Sequence, residues 1–371
     1  MSDRCLFTPG PLNLSSAVKD AMRVDLGSRD PTFKQVTQQL RDRLLLIAGG
    51  QLSHSAIPIQ GSGTYAMEAA LSTFIGKGDK ALVCINGIYG ERIAQILSKS
   101  GIDFEALRFP ASLPIDVAEF ERATILGERF THVCFVHCET TTGLVNPMHS
   151  LLKIGRRHGL VTVVDAMSSF GALTVDVEAD GIDILVSSGN KCIEAPAGVA
   201  FALVSNRLLG TGVSHARSFC LDILDQWQHF EQHQEWRTTP PTHVVQAFDK
   251  ALEGLLEEGI PSRNKRYCKI RDRILGGMKA LGFGTVVPQE FQSPVCLAFH
   301  SADLVPDKAA FESFYKCLAE HGICIYAKLH EQTSTFRIGC IGQIPDFWID
   351  KLLGVTAGHF RISTSFSVQA A

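Results

Sequence analysis

The chain has 371 residues, of which 45% are hydrophobic and 20% are charged, and its formal net charge at pH 7 is −3. This composition is typical of a globular protein with a large core and excludes a disordered or fibrous chain, and the length predicts two or three domains. Lysine and arginine form no basic run, so nucleic acid and anionic membrane are poor candidate partners.

The N-terminal stretch TPGPLNLS is rich in proline and glycine and cannot form a core of its own. We therefore expect residues 1–20 to be a segment that packs against the domains. A signal peptide is not expected, because no basic start is followed by a long apolar run. No window approaches the ~18 uninterrupted apolar residues of a membrane helix, and we expect a cytoplasmic protein.

Short apolar segments alternate with helix-like segments through the middle of the chain. Five segments of mostly apolar residues are typical of strands buried on both faces: residues 80–87, 131–139, 159–166, 180–188 and 198–205. Three segments show helical periodicity: residues 62–76, 90–101 and 148–159. The alternation predicts an α/β fold with a mostly parallel sheet and helices on both faces. We assign residues 21–264 to one large, ligand-binding domain.

The C-terminal part of the chain has a different pattern. Strand-like residues 293–300 and 322–327 bracket a helix-like segment at 307–321, and a further strand-like segment at 335–342 precedes an amphipathic segment at 346–356. This order predicts a smaller α+β domain, which we assign to residues 265–371.

Eleven cysteines are scattered without a CxxC pair, which is typical of reduced thiols in a cytosolic protein. His132, Cys134 and Cys138 would share one face of a strand and could in principle bind a metal. No matching second half of such a site occurs elsewhere, and buried thiols are the more common explanation. We therefore predict no metal.

Ligands of open α/β sheets bind beyond the carboxyl ends of the strands, so the residues that follow each strand carry the functional prediction. Ser62, Gly63 and Thr64 open a helix with small residues, where free N–H groups would suit a phosphate. An ordinary helix N-cap is at least as consistent with these residues alone. Tyr89 follows the next strand and could either stack on a planar ligand or simply pack.

Asp165 ends the most apolar strand, and Lys191 follows the next one 26 residues later. Burial of a carboxylate there is unfavourable without a cation or several donors, although a helix cap is the alternative role. Neighbouring parallel strands place their ends together, so one carboxylate and one amine would face one crevice. Pyridoxal phosphate requires this pair, a lysine for covalent attachment and an acid beside its ring nitrogen, together with donors for its phosphate.

Seven motifs together resemble a class V (fold type I) aminotransferase, and within that class they are most similar to the 2-aminoethylphosphonate–pyruvate transaminases. The motifs are LFTPGPLNLS, GSGTYAMEAAL, NGIYGER, HCETTTGLVNP, VDAMSSFG, SSGNKC and FRIGCIG. The resemblance spans nearly the whole chain. It implies a pyridoxal 5'-phosphate enzyme that is a homodimer with its active site at the interface, and small-molecule substrates that include 2-aminoethylphosphonate and pyruvate.

The resemblance also implies roles for individual residues. Lys191 would be the Schiff-base lysine and Asp165 the partner of the pyridine nitrogen. Tyr89 would stack on the ring, and Thr142 would lie near the ring oxygen. The residues around the phosphate would be Ser62, Gly63, Thr64 and Asn190. EWRTTPPTH resembles a segment that reaches the partner subunit's phosphate, with Thr239 as the expected donor and Thr238 as the other possibility.

Substrate recognition is implied at Arg337, whose guanidinium would hold the anionic end of the substrate, since a bidentate arginine suits both carboxylate and phosphonate. Arg217 could be a second cation there, although a solvated loop arginine is the more common case. Two segments, residues 193–197 and 326–335, depart from the family pattern on the substrate side.

Other functions remain open at this point. The same class V fold and cofactor site would serve an alanine–glyoxylate or serine–pyruvate aminotransferase, or an enzyme that uses a related aminophosphonate. A desulfurase would need a cysteine on a mobile loop, whereas Cys340 lies in a strand-like run. A nicotinamide-dependent dehydrogenase is disfavoured by the incomplete glycine fingerprint. A scaffold protein would not need a lysine in a crevice.

Overall fold

The computed structural model describes residues 4–126, 130–326 and 335–362, with the side chain of residue 126 left out. The strands of the described chain are β1 Cys5–Phe7, β2 His54–Gln60, β3 Lys80–Ile85, β4 Asp103–Arg108, β5 His132–Val136, β6 Cys138–Glu139, β7 Leu144–Val145, β8 Val161–Asp165, β9 Ile184–Ser188, β10 Val199–Ser205, β11 Gly284–Thr285, β12 Cys296–His300, β13 Ile323–Ile325 and β14 Phe336–Gly339.

The helices alternate with these strands. They are α1 Ser16–Asp20, α2 Pro31–Ala48, α3 Gly63–Phe74, α4 Ile88–Ser100, α5 Val117–Leu126, α6 Met148–Arg157, α7 Asn206–Leu209, α8 Ile223–His233, α9 Thr242–Glu258, α10 Ile260–Ala280, α11 Lys308–Glu320 and α12 Asp346–His359. Short 3₁₀ turns lie at Ala21–Arg23 and Gln289–Phe291. No helix of the described chain is long and apolar enough to cross a membrane.

The central sheet has seven strands in the order β2-β10-β9-β8-β5-β3-β4. Strands β4, β3, β5, β8 and β9 run parallel to one another, and β10 is antiparallel to both β9 and β2. The predicted α/β fold with a mostly parallel sheet is therefore confirmed, and each of the five predicted strands is present.

Both edges of this sheet differ from the sequence prediction. His54–Gln60 reads as a weak strand because it contains Pro58, yet it pairs along its full length with β10. A proline is tolerated there because β2 is an edge strand and one side of its backbone needs no partner. Strand β4 at the other edge is partly exposed along its length, so its sequence lacks the continuous apolar signal.

The larger of two cores surrounds this sheet. Helix α3 packs on β9 and β10 through its alanine-rich face, where Ala66, Ala69 and Ala70 are all buried. Small side chains let the helix axis lie close to the sheet. The N-terminus of α3 is thereby held beside the carboxyl end of β9.

The second core is built from α10, α11 and α12 around the three-stranded sheet β11-β12-β14. Cys5 and Phe7 of β1 belong to this core, and β1 pairs in parallel with β13. Val18 of the same N-terminal segment is buried in the larger core. The segment thus contacts both cores.

Helix α10 runs without interruption through residues 264 and 265, where we predicted a domain boundary. Ile260 packs on the larger core, whereas Ile270 and Ile274 are buried in the second core. The helix therefore belongs to both, and the division of the chain at residue 265 stays a prediction.

Candidate active site

A cleft opens beyond the carboxyl ends of β8 and β9. Its walls come from both cores and from the N-terminal segment, and its lining residues are Pro9, Gly10, Ser62, Gly63, Thr64, Met67, Tyr89, Arg92, Ile93, Asp165, Met167, Ser188, Asn190, Lys191, Tyr326 and Arg337. Eight residues predicted from sequence are thus brought together: Ser62, Gly63, Thr64, Tyr89, Asp165, Asn190, Lys191 and Arg337.

Asp165 is the last residue of β8 and lies between β5 and β9, where it is only 6% exposed. Burial raises the pKa of its carboxyl to about 6, although a hydrogen bond from the Met167 N–H (2.9 Å) acts in the opposite direction. The nearby Glu139 carboxyl also raises the pKa of Asp165, and Lys191 lowers it. The described chain supplies this carboxylate with one hydrogen bond, so its other oxygen is left for a ligand in the cleft.

Lys191 follows the end of β9 by three residues and shares the cleft with Asp165. Its Nζ lies 5.8 Å from the centroid of the Tyr89 ring. The predicted meeting of one amine and one carboxylate at neighbouring strand ends is therefore present, because β8 and β9 are adjacent and parallel.

The N-terminus of α3 forms another wall of the cleft. Gly63 and Thr64 are the first two helical residues, so their N–H groups have no helical acceptor. A side-chain cap from Ser62 would satisfy such a group, but this helix has none. A Cβ on Gly63 would lie 2.3 Å from Met167 Sδ, so a larger residue at this position would displace the Met167 side chain in the cleft. An anion could bind these free donors.

Arg92 is a functional candidate that sequence reasoning missed. Its Nη1 donates to Thr64 Oγ1 (3.2 Å), and its guanidinium carbon lies 4.8 Å from the centroid of the Tyr89 ring. Tyr89 and Arg92 are three residues apart on α4, a spacing that places them on one helix face. That spacing was the signal available in the motif NGIYGER.

Glu139 is a second residue that was missed. It is fully buried, and it accepts hydrogen bonds from the Tyr89 N–H (3.2 Å), the Thr141 N–H (3.1 Å) and the Thr141 hydroxyl (2.7 Å). Burial raises the pKa of its carboxyl above the ordinary value, and these hydrogen bonds offset only part of that rise. A Cβ on Gly87 would lie 2.3 Å from Glu139 Cδ, so Gly87 makes room for the carboxylate. Glu139 therefore fixes the backbone that presents Tyr89 to the cleft.

Arg337 approaches the cleft from the second core. It lies on β14, and its guanidinium carbon is 4.0 Å from the centroid of the Tyr326 ring. The cleft thus has guanidinium groups on two walls, Arg92 beside α3 and Arg337 on β14. Two cations in one cleft favour ligands with several negative charges.

Two predicted residues do not line the cleft. Thr142 is buried, and its hydroxyl has no partner among the described residues. Thr239 is exposed. Neighbouring Thr238 accepts a hydrogen bond from Gln60 Nε2 (3.1 Å). Arg217 lies in a separate surface depression. Residues 327–334 of the departing segment lie outside the described residues.

The metal and desulfurase alternatives find no support in the described chain. No group of three or more potential metal ligands occurs among the described residues. Cys340 is fully buried, and burial raises the pKa of its thiol. A buried neutral thiol lacks the exposure and thiolate character of a nucleophile.

The chain matches the family model of the class V aminotransferases over residues 19–334. It is 39% identical to the 2-aminoethylphosphonate–pyruvate transaminase of Pseudomonas aeruginosa over 340 residues, which cover 91% of each chain. A Pseudomonas putida protein of the same name is 38% identical, with 92% of this chain and 93% of the relative covered. A Burkholderia lata protein, 2-aminoethylphosphonate–pyruvate transaminase 2, is 36% identical, with 96% and 94% covered.

Several solved structures of similar fold are aminotransferases. Ureidoglycine–glyoxylate aminotransferase of Bacillus subtilis has a TM-score of 0.88 and 22% identity, with 99% of this chain and 95% of that chain covered. Pyridoxamine–pyruvate aminotransferase of Mesorhizobium loti has a TM-score of 0.87 and 23% identity, with 97% and 93% covered. These likenesses show the fold, which is that of the fold type I aminotransferases.

Proposed function

Because this chain belongs to the class V aminotransferases, we propose that it is a pyridoxal 5'-phosphate-dependent transaminase that moves the amino group of 2-aminoethylphosphonate to pyruvate. The products are phosphonoacetaldehyde and L-alanine. The observation that carries this proposal is the cleft in which Asp165, Lys191 and the open N-terminus of α3 meet two guanidinium groups. The names of relatives that are 36–39% identical over most of the chain support the choice of substrates.

The residues of the cleft fit this cofactor. The unbonded oxygen of Asp165 suits a protonated ring nitrogen, and the N-terminus of α3 suits a phosphate. Thr142 lies outside the lining of the cleft, and its place near the ring oxygen is proposed only because its buried hydroxyl has no partner among the described residues. We propose that Ser62, Gly63, Thr64 and Asn190 hold the phosphate, with Arg92 as an additional cation, and that Tyr89 stacks on the ring.

When bound, pyridoxal phosphate supplies the electron sink that transamination needs and carries the amino group from donor to acceptor. The chain provides the proton transfer, since Lys191 Nζ removes the proton from the reacting carbon of one substrate and returns a proton to that of the other. Asp165 keeps the ring nitrogen protonated. Burial among apolar strands excludes water from this carboxylate, which strengthens its interaction with a cation.

Arg337 binds the anionic end of each substrate in turn. The phosphonate of the donor and the carboxylate of pyruvate each offer two oxygens to a planar guanidinium. The ring of Tyr326 beneath Arg337 restricts its orientation through a cation–π contact. One arginine can therefore serve both half-reactions.

We further propose a homodimer in which Thr239 reaches the partner's phosphate site, and a cytoplasmic location. Thr239 is exposed and outside the cleft of its own chain, as a residue that serves a second copy would be. All eleven cysteines are free, which suits a reducing compartment. Light scattering of the purified protein tests the dimer, and a monomeric mass at micromolar concentration would contradict it.

The test of function is alanine formation from pyruvate with 2-aminoethylphosphonate as donor. Parallel reactions with serine and pyruvate, and with alanine and glyoxylate, provide the comparison. We expect kcat/KM for 2-aminoethylphosphonate to exceed the other two by at least ~10²-fold, since the doubly charged phosphonate gains more from the Arg337 guanidinium than the singly charged carboxylate of serine or alanine does. A higher kcat/KM for either other pair would reject the proposed donor, and no alanine from any donor would reject the transaminase.

Replacement of Arg337 by alanine is expected to lower kcat/KM for 2-aminoethylphosphonate by ~10²-fold, mainly through KM, because the phosphonate loses its bidentate partner. Steady-state kinetics of R337A and R337K measure this effect, and R337K should recover only part of the loss because lysine donates as a point charge. R23A, at an exposed arginine far along the chain, is the control. An unchanged KM in R337A would remove Arg337 from the substrate site.

A further inference from the structure

Glu194 lies three residues after Lys191, in the turn between β9 and β10. Its φ is +65°, a left-handed conformation that glycine adopts without strain and glutamate does not. The residue is nevertheless buried, with 3% of its surface exposed. A strained, buried carboxylate so close to the active-site lysine needs strong compensating contacts.

Those contacts come from two other parts of the chain. The Glu194 carboxylate accepts hydrogen bonds from the Tyr267 hydroxyl (2.6 Å) and Arg266 Nη2 (2.9 Å), both on α10. It also accepts one from Gln343 Nε2 (2.6 Å), which lies just beyond β14. A single side chain therefore joins the lysine turn to α10 and to the segment after the strand that carries Arg337.

The backbone of the turn is held by the same helix. The Glu194 N–H donates to the Lys191 carbonyl (2.8 Å). Arg263 Nη1 donates to the carbonyls of Cys192 (2.9 Å) and Ile193 (3.3 Å). Three consecutive carbonyls from Lys191 onward are thus occupied, which leaves the turn little freedom to move.

The charges in this cluster balance. Arg266 bridges Glu194 (2.9 Å) and Glu258 (2.7 Å), and Arg263 also pairs with Glu258 (2.7 Å). Two guanidinium groups therefore face two carboxylates, so removal of the Glu194 charge would leave a partly buried cation in excess. Arg266 also donates to the carbonyl of Gly342 (3.0 Å), next to Gln343.

We propose that Glu194 is a positioning residue that holds the backbone of Lys191 in register with β14. Through this contact the amine of Lys191 and the guanidinium of Arg337 meet the two ends of one substrate. The proposal rests on the transaminase function, because it concerns substrates that need both groups. It predicts that loss of the Glu194 side-chain contacts impairs turnover more than it impairs binding of the anionic end of the substrate.

The test compares E194G, E194Q and wild-type holoenzyme. Glycine relieves the backbone strain and removes the contacts, whereas the amide oxygen of glutamine can still accept from Tyr267 and Arg266, and its amide N–H can donate to Gln343 if the Gln343 amide rotates by 180°. We expect E194G to lower kcat with 2-aminoethylphosphonate by at least ~10-fold, because a small misplacement of a catalytic group is enough for such a loss. We expect E194Q to lose less than E194G and to stay within about 3-fold of wild type, since its amide oxygen still accepts from Tyr267 and Arg266 although the charge is lost.

Two further readouts separate positioning from general stability. The dissociation constant of methylphosphonate, which has an anionic end but no amine, should change by less than about 2-fold in E194G because Arg337 remains on β14. The thermal midpoint of E194G should fall, because relief of strain offsets only part of the lost contacts, so methylphosphonate binding is the readout that a general loss of packing would move and a loss of positioning would not. Q234G is the matched control, because Gln234 is exposed and also has a positive φ (55°).

Q343A provides a second variant, at an exposed residue whose loss should not unfold the chain. It removes one of the three donors, and we expect kcat to fall about 3-fold with an unchanged thermal midpoint. The proposal would be overturned if E194G kept the kcat of wild type. It would also be overturned if kcat, methylphosphonate binding and stability all fell to the same extent. If E194G does not fold, wild-type kcat in Q343A overturns it. Inactive wild-type enzyme would instead reject the proposed function.

Discussion

Replacement of Lys191 by alanine is expected to lower kcat for alanine formation by at least ~10²–10⁴-fold, the usual contribution of a positioned proton-transfer group. Its amine is the one that shares the cleft with Asp165 and the Tyr89 ring. The variant should still fold, since the cleft and not the core surrounds the side chain. Stopped-flow absorbance of each half-reaction, with 2-aminoethylphosphonate and then with pyruvate, measures the loss.

Chemical trapping makes the same prediction site-specific. Borohydride treatment of wild-type holoenzyme followed by mass spectrometry should place the pyridoxyl label on Lys191 and leave K191A unlabelled. K153A, at an exposed lysine of α6, is the matched control and should be labelled as wild type. A label on any other lysine, or a K191A variant with wild-type turnover, would break the assignment.

Replacement of Asp165 by asparagine is expected to have opposite effects on activity and on stability. Activity should fall by ~10²–10³-fold, because asparagine cannot supply the charge that keeps the ring nitrogen protonated. The cofactor-free protein should become more stable at pH 8, because burial raises the pKa of this carboxyl from 3.8 to about 6 and its ionised form is therefore unfavourable in the folded chain. The Met167 N–H bond can be kept by the asparagine oxygen.

The stability effect depends on pH in a defined direction. At pH 8 the carboxyl is ionised in both states, and the difference between its two pKa values costs the folded state about 2–3 kcal/mol. Below about pH 4 it is protonated in both states and the cost disappears. The stabilisation in D165N should therefore be full above pH 6 and vanish as the pH falls from about 6 to 4.

Thermal unfolding of cofactor-free wild type and D165N between pH 4 and 8 measures this difference. D303N, at an exposed carboxylate, should show no such trend. An equal or lower midpoint for D165N at pH 8 would contradict the unfavourable burial of Asp165. Retained turnover in D165N would contradict its role beside the ring nitrogen.

The local sequence pattern predicted much of the fold and several of the residues that we propose to bind the cofactor. Each central strand of the sheet is recognisable in the sequence as a short apolar run, because strands buried on both faces contain few polar residues. Asp165 and Lys191 stand at the ends of two such runs, and their meeting follows from parallel pairing of consecutive strands. The edge strands β2 and β4 were not predicted, because an edge strand packs against fewer neighbours and its sequence is therefore less regularly apolar.

Contacts between residues that are distant in sequence could not be predicted from the local pattern. Nothing in the local pattern around Glu139 indicates that its carboxylate holds the Tyr89 backbone, fifty residues away. The cluster of Glu194, Tyr267 and Gln343 joins three segments that no periodicity relates. Such polar contacts depend on side-chain direction and on which elements pack together, and these are decided only when the chain has folded.

The sequence by itself determined the α/β class and the two strand ends that bear the amine and the carboxylate, because each of these follows a local burial rule. The tertiary structure alone decided that Arg92 enters the same cleft as Arg337, and that the Lys191 turn is tied to β14. The physical reason is distance along the chain. Burial of a strand or helix is visible in the pattern of neighbouring residues. An ion pair or a shared cleft depends instead on segments that are distant in sequence and meet only when the chain packs.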